Sequence, residues 1–277
     1  MEGTEFAFQT RAWRDLKMEK CILQTIIRQR GDSTFIKLLN EVRLGKLSHA
    51  SLLALSKCDS SVKPKPNDGI LPTKLYCINA DVDKENERRL DALDGQGTTF
   101  DAFDDIKNTG SGSGSKYERD QLLEAASKKV PTRLKLKVGA QVVLLRNLDV
   151  TRGLANGSRG VVVAIEEMRG KLAPKIRFDC GVEQHIFQAD FFVGRGALGA
   201  LVRWQLPIKL AWAITVHKSQ GMTLSRVEVE VGNAFDFGQV YVALSRCVSL
   251  AGLWTSGPKV TPEVIKAHAD VIEFYRN

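Results

Sequence analysis

The sequence predicts an α/β protein, a parallel sheet with flanking helices, interrupted by a small antiparallel barrel. Three observations predict it. At 70–93 and again at 210–245, apolar strand-like runs lead into segments with helical spacing. Between them, from Arg133 to Trp204, the pattern changes to short β-rich runs punctuated by turn dipeptides. No run of eighteen apolar residues occurs, which excludes a membrane-spanning helix. With 277 residues, 43% hydrophobic and 26% charged, the chain has the content of one large domain or two modest ones.

Asp32-Ser33 caps a predicted helix whose apolar residues are Phe35, Ile36, Leu38, Leu39 and Val42. Gly45 stands where its stop belongs. Leu47–Leu55 predicts a second short helix, and Ser60–Asp68, with Pro64 and Pro66, a loop. Ile70–Ile78 predicts a buried strand, followed by a helix that begins near Asn79 and covers Asp81–Leu93. Residues 109–115, Thr-Gly-Ser-Gly-Ser-Gly-Ser, have nothing to pack and read as an engineered linker replacing a removed loop. Lys116 follows these glycines, but Ser115 stands where a phosphate loop needs its second glycine, and Tyr117 replaces its Ser/Thr.

Val142–Leu145, Gly160–Ile165 and Lys175–Phe178 predict barrel strands, with turns at Asn156-Gly157, Arg169-Gly170 and Cys180-Gly181. Residues 194–199, Gly-Arg-Gly-Ala-Leu-Gly, match the dinucleotide pattern. Such a site needs a helix next, and Leu201–Pro207 reads as strand, so a nicotinamide enzyme is not expected. Leu210–Thr215 is apolar, Val227–Val231 alternates as a strand, and Gln239–Ser245 is helical. Thr261-Pro262-Glu263 caps a predicted closing helix with Val264, Ile265, His268, Val271, Ile272 and Tyr275 on one face. On that stripe His268 reads as a core-edge residue.

Net charge is +8, and its placement says more than its sum. Residues 116–178 hold 14 basic and 6 acidic side chains, directly after an acidic stretch, 81–115, with 4 and 9. That excess is either a solvated lysine-rich surface or a groove that tracks phosphates. Cys21, Cys58, Cys77, Cys180 and Cys247 show no zinc spacing and are expected to be reduced and buried. The four histidines form no ligand cluster. The acidic start, Met1–Glu5, has no apolar signal core, so secretion is not expected.

Thr215–Leu224 places a hydroxyl, an imidazole, an ammonium, a second hydroxyl, an amide and a glycine together beyond an apolar run. On chemistry alone it suits a phosphate-binding loop and a polar strand-to-helix turn equally. Arg246, behind the apolar helix of Tyr241–Leu244, suits an arginine finger or an ordinary surface position. Arg28-Gln29 is a weaker third candidate.

HKSQGMTL (217–224) and GQVYVALSR (238–246) resemble motifs V and VI of the Pif family, superfamily-one 5′-to-3′ DNA helicases related to RecD. Phe6-Ala7-Phe8 with Trp13, and Ile27–Asp32 followed by Phe35, resemble the motif IV region. Leu136–Leu148 with Arg152–Gly160 resembles the inserted barrel of that family. The resemblance covers nearly all the chain except the Gly/Ser tract and its neighbours. It implies a RecA-like lobe formed by 1–108 and 207–277, with an SH3-like barrel at 116–206 behind the 109–115 linker.

The resemblance also implies roles. Arg246 is the arginine finger and Arg28 a second phosphate sensor. Gln220, Gly221 and Gln29 lie at the nucleotide phosphates. Thr215, His217, Lys218, Ser219 and Asn86 face DNA, as do Arg146, Asn147, Arg152, Asn156 and Arg159 of the barrel. The implied cofactors are ATP and Mg2+, held mainly by a first, N-terminal RecA-like lobe. The implied partners are that lobe and single-stranded, forked or G-quadruplex DNA, with no membrane. Repair, recombination and telomere maintenance in nucleus or mitochondrion follow from the same resemblance. No GxxxxGK[ST] is present, nor an Asp-Glu pair behind a suitable strand. The expected chain is therefore the C-terminal half of a motor, inactive alone. The competing expectation is a non-catalytic module that binds nucleic acid or protein on a helicase-like fold.

Overall fold

A computed structural model describes residues 6–19, 21, 23, 25–76, 79–107, 116–196, 199–230, 236–258 and 260–276. The chain begins with α1 (Arg11–Asp15), α2 (Ser33–Arg43), α3 (His49–Ser56), β1 (Thr73–Tyr76) and α4 (Asn79–Asp91). Its middle holds β2 (Thr98–Asp101), β3 (Phe103–Lys107), α5 (Lys116–Lys129), β4 (Arg133–Leu136), β5 (Gln141–Leu144), β6 (Arg159–Met168) and β7 (Lys171–Phe178). Then come β8 (Glu183–His185), β9 (Ala189–Gly196), β10 (Gly199–Gln205) and β11 (Ile208–Leu210). It ends with β12 (Ala213–Thr215), β13 (Val227–Glu230), α6 (Gln239–Leu244), β14 (Leu253–Ser256) and α7 (Ala269–Arg276).

Four parallel strands run in the order β12-β1-β13-β14. Parallel neighbours cannot be joined by hairpins, so every connection crosses over, and the longest carries the whole middle of the chain. The Asp32 carboxylate accepts the Phe35 N–H at 2.9 Å, which starts α2 at the capping signal. Gly45, at φ +69°, takes the left-handed conformation beyond its end. Phe35 and Leu38 of α2 then pack with Leu75, Val229, Leu244 and Leu253 in one core. Residues 77 and 78 of the predicted first strand lie outside the described residues.

The middle of the chain is larger than a barrel alone. A five-stranded antiparallel sheet, β11-β5-β6-β7-β8, shares its core with the ribbon β2–β4. A separate sheet, β3-β10-β9, packs on α5 through Leu201, Val193 and Ala126. Buried Arg203 ties β10 to β3 and to the end of α5. It binds both Asp104 oxygens, at 2.6 and 2.7 Å, and the Val130 carbonyl at 3.0 Å. Residues 98–107 and 208–210, which lie outside the predicted 116–206 segment, pair into the antiparallel sheets. Phe103 pairs with Trp204, and Ile208 with Leu144. The glycines from 194 fall in the antiparallel β9–β10 pair, as the absence of a following helix implies.

The closing helix also differs from expectation. Thr261–Pro262 supports only a turn, and α7 begins at Ala269. The Lys266 carbonyl accepts the Gly238 N–H at 2.9 Å instead of a helical partner, and Ile265 is drawn into the lobe core. His268 sits at the core edge, between the Phe6 and Phe237 rings. Of the cysteines, Cys58 and Cys247 are buried, Cys21 and Cys180 are exposed, and Cys77 lies outside the described residues.

Two contacts fasten the antiparallel region to the lobe. Arg159, fully buried at the start of β6, donates to the carbonyls of Leu71, Ala211 and Arg226. The Arg226 guanidinium in turn grips both oxygens of Asp68 at 2.7 Å. The Arg226 hydrogen bonds hold the Asp68 pKa down at about 2. A carboxylate pKa depressed on folding adds stability above its unfolded value and loses it as pH falls through the folded value. The expected result is a thermal midpoint that falls between pH 4 and 2, with a shallower fall in Asp68→Asn over the same window.

The second contact is the Asn156-Gly157 turn against Thr223. Gly157 has φ +97°, and a Cβ there would stand 2.5 Å from the Thr223 carbonyl oxygen. Gly157→Ala is expected to destabilise the chain by about 2 kcal/mol through backbone strain and this collision. Calorimetry checks it, and an unchanged melting temperature would remove the turn from this interface.

Candidate functional site

The turn after β12 is built by buried hydroxyls. Thr215 Oγ1 accepts the Lys218 N–H at 3.2 Å, and Ser219 Oγ donates to the Val216 carbonyl at 2.6 Å. Gly221, at φ +81°, closes the turn. With its hydroxyls committed inward, the turn presents His217, Lys218 and Gln220 to solvent. Thr215 and Ser219 themselves are buried and so shape the loop rather than face a strand.

Beyond the turn, motif V joins the end of α6. The Leu224 N–H donates to the Arg246 carbonyl at 3.0 Å, and the Val248 N–H to the Leu224 carbonyl at 3.1 Å. Arg246 Nε donates to the Val242 carbonyl and an Arg246 terminal nitrogen to Ser245 Oγ, both at 2.9 Å. Arg28 comes from the other end of the chain to the same place. Its Nε donates to Thr223 Oγ1 and a terminal nitrogen to the Ser245 carbonyl, both at 3.1 Å. The two guanidiniums thus meet over Ser245, in a cavity of about 430 Å³ also lined by Asn40 and Tyr241. Among the described residues neither has a carboxylate partner. Burial, then the Arg28 charge, pushes the Arg246 pKa down from its ordinary value. Two planar cations facing one cavity without a counter-charge fit a phosphate group.

Several predicted contacts point elsewhere. Gln29 is buried, and its amide donates to the carbonyls of Ser245 and Cys247 at 3.1 and 2.7 Å. It lines the same cavity, but its amide nitrogen is spent on stapling the motif IV turn to motif VI. Buried Asn86 exchanges two hydrogen bonds with the backbone of Ala213, at 2.9 and 3.0 Å, so its amide is spent on positioning β12 at the side of the cleft it lines. Arg159 is sealed in the fastening described above and is likewise no surface contact.

The remaining barrel residues are spread out. Arg146 donates to the Asp190 carbonyl and carboxylate, and exposed Arg152 to Gln184. Asn147 Oδ1 accepts the Asn156 N–H, while Asn156 Oδ1 is buried without a partner. The roles of Thr223 and Ser245 were not assigned from the sequence, although both hydroxyls lie inside the quoted motifs. Among the described residues no group of three or more His, Cys, Asp and Glu side chains is placed to hold a metal. No described helix is long and apolar enough to cross a membrane.

The parallel sheet with its antiparallel insertion is a mixed α/β fold of the RecA-like helicase class. More particularly, the chain is similar in sequence to the Pif1 DNA helicases along nearly its whole length. Residues 125–165 match the family model for the 2B domain of DNA helicase Pif1. The chain is 42% identical over 99% of its length to ATP-dependent DNA helicase PIF1 of Danio rerio. It spans about 40% of the length of the curated relatives it matches. Pif1 helicase from Candida albicans aligns with 98% of this chain and 64% of its own, at 31% identity and a TM-score of 0.69. Bacteroides Pif1 in complex with ADP-AlF3 and single-stranded DNA aligns with 92% of this chain and 55% of its own, at 28% identity and a TM-score of 0.54.

Proposed function

We propose that this chain is the C-terminal motor half of an ATP-dependent 5′-to-3′ DNA helicase, acting with an N-terminal P-loop lobe that lies outside these 277 residues. The convergence of Arg246 and Arg28 on one cavity carries this reading. ATP with Mg2+, bound mainly by the other lobe, supplies the phosphoanhydride to be cleaved. Arg246 acts as the arginine finger, stabilising charge on the transferring phosphoryl group, and Arg28 senses the same phosphate. Both gain their anion only when the lobes close, so nucleotide occupancy biases an open–closed equilibrium. The exposed side chains of His217 and Lys218 hold the strand backbone, and Gln220-Gly221 stay near the nucleotide. Contacts to phosphates with little base readout make such a motor indifferent to sequence.

The 5′-to-3′ direction, action on forked or G-quadruplex DNA, and a nuclear or mitochondrial setting follow from the resemblance in motifs V and VI. Fluorescence anisotropy with a labelled oligothymidine tests the strand assignment on this chain alone. The expected result is binding that weakens steeply between 50 and 200 mM salt. Binding that is absent or insensitive to salt overturns it.

A further inference from the structure

Lys209 stands between Ile208 and Leu210 in β11, an unusual place for an ammonium. It lines a cleft of about 760 Å³ between α4 and the antiparallel region, and Lys218 lines it too. Asp83, Glu87 and Asp91 of α4 lie along one wall. Along the other, Arg133 is engaged by Asp101, Lys128 by Glu124, and Lys129 by the Phe192 and Val193 carbonyls. Lys135 is exposed at the rim. Among the described residues, no hydrogen bond or ion pair engages the side chain of Lys209 or Lys218. Burial, and then the charge of Lys218, pushes Lys209 down to about 8. Two like charges, one largely withdrawn from water, are relieved when an anion sits between them.

We propose that Lys209 and Lys218 clamp one phosphodiester of a single strand, which places the strand path in the cleft between α4 and β11. This rests on the strand-binding reading above and adds to it a residue outside the motifs.

The test is anisotropy of labelled oligothymidine with this chain and its variants. Lys209→Met keeps the apolar stem and is expected to bind about fivefold more weakly at 0.1 M salt, with the salt slope lowered by about 0.7. Lys209→Arg is expected to bind as the parent does. Binding favours the charged amine, so the parent's affinity should fall from pH 7 to 9, and more steeply than that of Lys209→Arg. Lys171→Met, outside the cleft, is the control and should change nothing.

If the parent binds and Lys209→Met matches it in affinity and slope, the clamp is wrong while the strand reading stands. If the parent binds no strand, both fall. ATP that displaces the oligonucleotide from the parent but not from Lys209→Met would reassign the cleft to a nucleotide and overturn the clamp.

Discussion

In a polypeptide carrying both lobes, Arg246→Ala lowers ATP turnover by about a thousandfold, the scale of a lost arginine finger. Strand binding is retained, because Arg246 sits in the cavity over Ser245 and the exposed motif V side chains are untouched. Arg246→Lys does not restore the rate. The guanidinium uses its Nε on Val242 and a terminal nitrogen on Ser245, which leaves the fork aimed by two fixed bonds. An ammonium offers a point charge on a flexible stem and cannot be aimed in that way. Steady-state ATPase assays with saturating oligonucleotide measure the effect. Turnover equal to the parent's would remove Arg246 from the chemistry.

The largest stability effect falls on a residue that sequence reading places at the DNA. Arg159→Leu removes the donor of the Leu71 carbonyl and a second donor from the Ala211 and Arg226 carbonyls, which Thr73 also serves, in a region closed to water. Loss of three buried charge-assisted bonds, one of which orphans its acceptor, makes the expected loss about 4 kcal/mol, or about 10 °C in melting temperature. Burial pushes the Arg159 pKa down to about 9, so the group is still charged at neutral pH and its bonds are charge-assisted. Urea unfolding of the variant gives the number. A loss within 0.5 kcal/mol would show that the barrel holds to the lobe without this side chain.

The parts legible in the sequence are those whose signals are local. Helix α2 could be read because its cap, Asp32, and its stop, Gly45, flank the apolar stripe. Strands β5, β6 and β7 could be read because turn dipeptides separate them. Strands β2 and β3 could not, because Thr98–Lys107 is acidic and its partners, Leu136 and Trp204, lie far along the chain. Helix α5 went unread for a different reason, since its buried face rests on little more than Leu122, Leu123 and Ala126.

The site divides along the same line. Motifs V and VI mark where Arg246 stands, but a donor's direction is set by acceptors that sequence does not place. Gln29 finds Cys247 across 218 residues, and Asn86 finds Ala213 across 127. Both carry the polar chemistry of a ligand site and both are spent on backbone. Lys209 was overlooked for the opposite reason: in an apolar strand a lone lysine carries no motif.

Thr223 is a party wall. Its main chain closes against the barrel turn at Gly157, and its hydroxyl receives Arg28. The barrel turn on one side and the Arg28 guanidinium on the other are thus separated by the thickness of a single residue. Any slack that opens at the turn opens at the guanidinium, with no intervening element to absorb it.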